Sequence, residues 1–266
     1  MAEGAHLCFG IVTDSHLSVE GESAAASTEK LSRAADDLNQ ANCSFMLQLG
    51  DLIAGSEKHA SEELAAATAI LENFHGEVRH LIGNHCLQLP LKRLEEAFHL
   101  HSPFYRFHAG GFRWLALDGM DVSALRTPGN GEDRVALEEY IARPENPLWC
   151  GALGSVQKAW LQGELDDARK KKERVIVLCH FPLHPATSDK RHGMLWNHAE
   201  VRGMLEQSQV VSACLGGHYH PGGYAFEKGI HFAVLPAGLP TIGELSEGSL
   251  VIRHPQGATL HHLSFS

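Results

Sequence analysis

Leu215-Gly216-Gly217-His218-Tyr219-His220 sets two histidines one residue apart, immediately after the apolar run Val210–Leu215. Imidazoles so placed at the end of a buried strand are candidate metal ligands, and the paired glycines let the chain turn there. The same arrangement recurs along the chain. Asp14 and His16 follow the run His6–Thr13, and Gly50-Asp51 follows Phe45–Leu49. Gly83-Asn84-His85 follows Val78–Ile82, and His180 follows Arg174–Cys179. Singly each signal is weak: D-x-H is ordinarily a turn beside a surface histidine, and a strand-end histidine is usually a satisfied polar group. Together they point to one crevice, because open α/β sheets collect their ligands at the carboxyl ends of the strands.

Between these runs the spacing turns helical, over Ser27–Gln40, Glu57–Phe74 and, more weakly, Leu91–Phe98. Strand-helix-strand order predicts parallel pairing through right-handed crossovers. Phe104–His108 and Phe112–Leu117, joined by Ala109-Gly110-Gly111, predict a hairpin. Residues 119–154, rich in Gly, Pro and Asn, are expected to form a long surface excursion. A helix over Ser155–Lys172 is expected to begin with Ser155 as its cap, and Lys170-Lys171-Lys172 suits the dipole at its end. A further helix is expected over Asn197–Glu206, and Gly223–Ser266 reads as short strands with glycine turns. The sum is an α/β protein of two packed sheets flanked by helices, in one domain over 1–266.

With 266 residues, 44% of them hydrophobic, the chain is long enough to bury a substantial core. It contains no apolar run of membrane-spanning length, so no membrane partner is expected. Met1–His6 lacks a basic region followed by an apolar core, which predicts a cytoplasmic protein. Six cysteines, none in a C-x-x-C pair, read as small buried hydrophobes in a reducing compartment. A formal net charge of −10 argues against nucleic acid as a partner, while an anionic small substrate is accommodated if bound cations invert the local sign. The oligomeric state is left open; a monomer is compatible. There is no G-x-x-x-x-G-K-[ST] and no G-x-S-x-G, and Gly129-Asn130-Gly131 is followed at the decisive position by Arg134. A P-loop NTPase, a Rossmann dehydrogenase and an α/β-hydrolase are thereby disfavoured.

Asp, Asn and His donors suit divalent cations: Mn first, with Fe, Zn or Mg as alternatives. The seven side chains Asp14, His16, Asp51, Asn84, His180, His218 and His220 exceed the needs of one ion. They match two ions sharing a carboxylate, for which Asp51 is the natural bridge. Such pairs, roughly 3.5–4 Å apart, are the recurrent device for in-line displacement at phosphorus.

The order D-x-H, G-D, G-N-H, H and G-H-x-H, from Asp14 to His220, resembles that of the calcineurin-like metallophosphoesterases. That resemblance implies a four-layer α/β/β/α sandwich and a phosphohydrolase with two metal ions. It assigns Asp14, His16, Asp51 and His220 to one ion, and Asp51, Asn84, His180 and His218 to the other. His85 would lie near the leaving-group oxygen as proton donor or charge stabiliser. A narrower similarity, to the manganese-dependent ADP-ribose/CDP-alcohol diphosphatases, rests on Leu117–Ser123, Gly154–Leu161, His180–Pro185, Leu195–Asn197 and Gly217–Tyr224. It implies cleavage of the phosphoanhydride in nucleoside-diphosphate conjugates by water activated between the cations. Substrate contacts are expected from Asn84 and His85; His184 and Trp196 are further candidates, set against the plainer readings of a surface histidine and a buried loop anchor. Three features depart from that subgroup: His16 in place of its Gln, Cys86 after G-N-H in place of an acid, and a short Leu17–Thr28 segment rich in Ala and Ser. His16 is commoner in cyclic-nucleotide phosphodiesterases, the alternative reading. A non-catalytic scaffold on the same fold is a second alternative.

Overall fold

The computed structural model describes residues 6–265, so residues 1–5, read above for a leader, lie outside it. Two six-stranded sheets pack face to face. The first contains β1 (Leu7–Val12), β2 (Phe45–Gln48) and β3 (Glu77–His80), with β12 (Thr241–Leu245), β13 (Ser249–Arg253) and β14 (Thr259–Ser264). Its order is β14-β13-β12-β1-β2-β3, parallel from β1 to β3 and antiparallel elsewhere. The second contains β4 (Tyr105–Ala109), β5 (Phe112–Leu117), β8 (Arg174–Cys179), β9 (Val211–Gly216), β10 (Gly223–Glu227) and β11 (Ile230–Val234). Its order is β10-β11-β9-β8-β5-β4, with a parallel centre and antiparallel edges.

Strand residues alternate between two apolar environments, as expected of sheets covered on both faces. Phe9 and Ile11 of β1, and Phe45 and Leu47 of β2, face the second sheet and pack with Trp114, Ile176 and Leu178. Val12 and Met46 point the other way, onto Leu31, Ala35 and Leu38 of α1 (Ser23–Gln40) and Leu64 and Ala67 of α2 (Ala60–Leu71). Leu94 of α3 (Leu91–Ala97) joins that layer. On the far side, Leu115 and Val177 meet Leu161 and Leu165 of α5 (Ser155–Lys171) and Val201 and Leu205 of α6 (His198–Ser208). The four-layer sandwich expected from the sequence is thus formed. Arg113 on β5 is fully buried beneath α5, where it meets Glu164 at 2.8 Å, Asp167 at 2.6 Å and Glu173 at 2.7 Å through Nε.

Two expectations need correction. Residues 119–154 are not a structureless surface excursion. They hold the two-stranded pair β6 (Val122–Ser123) and β7 (Gly151–Ala152) and the helix α4 (Gly131–Ile141), and Met120, Val122, Cys150, Ala152 and Leu153 enter the core. The lack of an apolar stripe along α4 hides this, since only Asp133 of that helix is buried. Nor does the Ser155 side chain cap α5. The residue at the cap position is Gly154, and acids distant in sequence take the free amides: Asp121 accepts from Gly154 N at 3.0 Å and Asp133 from Ser155 N at 2.7 Å. All six cysteines are free thiols, five of them buried. Among the described residues no helix is long and apolar enough to cross a membrane.

Candidate metal centre

Pairing of β1 with β2 continues past their ends while the side chains swing outward. Asp14 N donates to Gly50 O at 3.1 Å, His16 N to Asp51 O at 3.0 Å and Leu17 N to Leu52 O at 3.0 Å. To do this Asp14, His16 and Asp51 take φ of 51°, 42° and 49°, and His218 after β9 takes 68°. These are left-handed values that residues with a Cβ rarely adopt; they persist where neighbours over-determine them, and they gather at functional sites. Gly50, with φ 106°, lies where a Cβ would strike the His180 ring. Gly217 passes so near Thr13 and Asp14 that a Cβ would overlap both side chains.

The strand ends bring three groups of donors within 4.8 Å of one another: Asp14, His16 and His220; His16, Asp51 and His85; and Asp51, His180 and His218. Asp51 and His16 each belong to two groups, so the three form one continuous cluster. Asp14 Oδ1 stands 3.7 Å from His220 Nε2 and 3.9 Å from His16 Nε2, and those two nitrogens are 3.2 Å apart. Its Oδ2 accepts from the Thr13 hydroxyl at 2.5 Å and from His218 N at 3.0 Å. Asp51 Oδ1 accepts from His85 N at 2.9 Å, and Oδ2 faces His180 Nε2 at 3.3 Å. Asn84 opens the short 3-10 turn His85–Gln88, buried and directly before His85.

Backbone carbonyls set the tautomers. His180 Nδ1 donates to Leu49 O at 2.8 Å, His85 Nδ1 to Ala54 O at 2.7 Å and His218 Nε2 to His192 O at 2.9 Å. A carbonyl only accepts, so each of these nitrogens carries the proton. A cation would therefore meet His180 Nε2 and His218 Nδ1, while His85 Nε2 is left without a carbonyl partner. Carbonyl support of this kind is what orients ligating imidazoles. Burial by itself would raise Asp51, yet His180, His85 and His16 hold its carboxyl well below the usual range. For His180, burial works downward and Asp51 overrides it, raising the imidazole to about 9. Burial and then the neighbouring His180 push His218 down to about 3, and burial also lowers His16. Among the described residues, buried Asn84 Oδ1 and His180 Nε2 lack hydrogen-bond partners. Such orphans are costly unless something else engages them. An amide oxygen and an imidazole nitrogen left without hydrogen-bond partners beside buried carboxylates fit divalent cations held by oxygen and imidazole nitrogen.

All seven sequence-predicted ligand residues and His85 are thus placed at this cluster or beside it. His184 and Trp196 are differently engaged. His184 Nδ1 accepts from Ala186 N at 3.1 Å and Nε2 meets Glu227 at 3.0 Å, so neither nitrogen is free for phosphate. Trp196 is a buried anchor: its indole N–H donates to Pro147 O at 3.1 Å and its ring lies against Tyr140. Its edge lines a cavity of about 770 Å³, together with Trp149, Lys190 and Arg191. Trp149 donates at 3.0 Å to the same His192 carbonyl that holds His218. Sequence reading missed that carbonyl and the buried Gln48 behind Gly50. The one available signal was a single polar residue inside the apolar run Phe45–Leu49.

The family model described as calcineurin-like phosphoesterase matches residues 9–222. A manganese-dependent ADP-ribose/CDP-alcohol diphosphatase of Arabidopsis thaliana is 32% identical over 238 residues, covering 79% of this chain and 76% of the relative. The protein of the same name in Oryza sativa is 29% identical, covering 79% and 73%. Among solved structures, a dimetal phosphatase from Danio rerio superposes with a TM-score of 0.86 at 21% identity, covering 98% of this chain and 99% of that one.

Proposed function

The chain belongs to the calcineurin-like phosphoesterase family, and on that premise we propose that it is a hydrolase cleaving the phosphoanhydride of nucleoside-diphosphate conjugates such as ADP-ribose and CDP-alcohols. The observation that carries this reading is the sharing of Asp51 between donor groups, which suits two cations and not one. Asp14, His16, Asp51 and His220 would hold the first, and Asp51, Asn84, His180 and His218 the second. When bound, the cation pair supplies a water nucleophile near neutral pH and neutralises charge on the phosphoryl oxygens. The donor chemistry favours manganese, the metal named for the plant relatives.

The protein's own share is positioning and proton management. Asp14 and Asp51 are fixed by backbone amides, so little reorganisation accompanies the reaction. His85 is exposed with Nε2 uncommitted, which lets it hold a proton for the departing oxygen. The nucleoside or alcohol part has room in the 770 Å³ cavity, one carbonyl away from His218. The two lysine and arginine side chains on its wall can meet a second anionic group.

One observation favours a second reading, a 3′,5′-cyclic nucleotide phosphodiesterase. His16 reaches toward both Asp14 and Asp51, completing the D-x-H pattern of that group. Assays of ADP-ribose, CDP-choline and cyclic AMP with Mn²⁺, Mg²⁺ and no metal decide between them. The proposal expects Mn²⁺-dependent release of a nucleoside monophosphate from the first two. Turnover of cyclic AMP alone would replace it with the second reading, and failure to take up any metal would favour a scaffold.

A further inference from the structure

Gln48 ends β2 and is fully buried, and its side-chain hydrogen bonds go to Gly50 and His80, neither of them a candidate ligand. A buried amide is costly unless its hydrogen bonds are made. Here both ends are used. Nε2 donates to Gly50 O at 2.8 Å, and Oε1 accepts from His80 Nδ1 at 3.3 Å. Gly50 O also accepts from Asp14 N at 3.1 Å. One carbonyl therefore takes a bond from the backbone of one candidate ligand and a bond from Gln48, while its peptide plane leads directly into Asp51. The orientation of that plane sets ψ of Gly50 and φ of Asp51. Gly50 is free to rotate, and Asp51 sits in a left-handed conformation that relaxes if the plane flips. His80, in register with Gln48 across β2 and β3, completes the support. Its ring stacks on Phe98 with centroids 4.2 Å apart, and its carbonyl accepts from Tyr105 Oη at 3.0 Å.

We propose that Gln48, braced by His80, is a positioning residue that locks the Gly50–Asp51 peptide and so presents both Asp51 and Asp14 to the metal pair. The inference rests on the dinuclear reading above. The amide need not contact substrate or cation; it acts by denying Asp51 its relaxed backbone.

The test is Mn²⁺ titration of the whole 266-residue chain, by calorimetry and by loss of the free-Mn²⁺ paramagnetic resonance signal. It compares wild type, Gln48→Met, His80→Phe and the double variant, alongside thermal melts of the metal-free forms. Met keeps the length of Gln and removes the donor; Phe keeps the stack on Phe98 and removes the bond to Gln48. Wild type should bind two ions. Gln48→Met should bind about 10–100-fold more weakly, the range for loss of an outer-shell partner. His80→Phe should show a smaller loss, because the bond to Gly50 survives. The double variant should be no worse than Gln48→Met, since both act through one carbonyl. A Gln48→Met protein, folded without metal, that binds two ions as tightly as wild type overturns the proposal. Should Gln48→Met not fold, unchanged affinity in His80→Phe overturns it instead. A wild type binding fewer than two ions defeats the dinuclear reading itself, a separate and recognisable result.

Discussion

Acidification should weaken this fold through His80. Burial, and then the nearby His99, push its imidazole from 6.5 down to about 3. Below 6.5 the unfolded chain takes up a proton that the native state refuses. Stability from this group is therefore complete above 6.5 and falls as pH drops toward 3. The gap of 6.5 − 3 is about 3.5 pH units, which at 1.36 kcal/mol per unit sets a limit of about 5 kcal/mol. At pH 5 the linkage relation predicts a loss of about 2 kcal/mol relative to pH 7.5. Urea unfolding of metal-free wild type and His80→Phe at the two pH values isolates it. Other groups, His218 among them, titrate in both proteins, so the difference in pH dependence belongs to His80. Wild type should lose about 2 kcal/mol more than the variant, within an overall stability of about 5–15 kcal/mol. Parallel pH profiles for the two would refute the account, because they would mean that His80 is not kept neutral by the fold.

Asp51→Asn should abolish both metal uptake and hydrolysis, as read by elemental analysis and substrate turnover; full activity would contradict the shared-carboxylate assignment. His85→Ala should keep its metal while the rate falls by about 10²–10⁴-fold, the span for removing a general acid. Replacing Arg113 by Met should destabilise the protein by about 3 kcal/mol in denaturant melts, since three carboxylates then lose a buried cation. Asp133→Ala should cost about 1 kcal/mol, as loss of a helix cap does, although the residue lies far in sequence from the helix it serves.

What the sequence disclosed and what it concealed divide along contact range. The strand ends were readable because a glycine or a chelating side chain follows each apolar run, a purely local signal. The alternation of Phe9, Ile11 and Val12 between two cores was implicit in a run apolar on both faces. The amide partners at the start of α5 were not readable, because Asp121 and Asp133 reach it across a turn, a helix and a strand pair. For His184 and Trp196 the linear chain left substrate contact and a plain structural role side by side. Only the folded neighbourhood, with Glu227 and Pro147 in place, shows their polar atoms already spent. Gln48 went unread, because its purpose depends on a carbonyl two residues on and a histidine 32 residues away.

The cluster draws Asp14, His16 and Asp51 from the first sheet and His180, His218 and His220 from the second. Neither half alone holds a complete donor group other than the trio formed with His85. On the dinuclear proposal, uptake of divalent metal becomes a reporter of inter-sheet docking: a folding intermediate with one sheet formed would chelate poorly, and each bound ion would act as a rivet through the sandwich. Chelators should accordingly lower the melting temperature and make the two sheets part at different points along a denaturant gradient. With metal present they should separate in a single step.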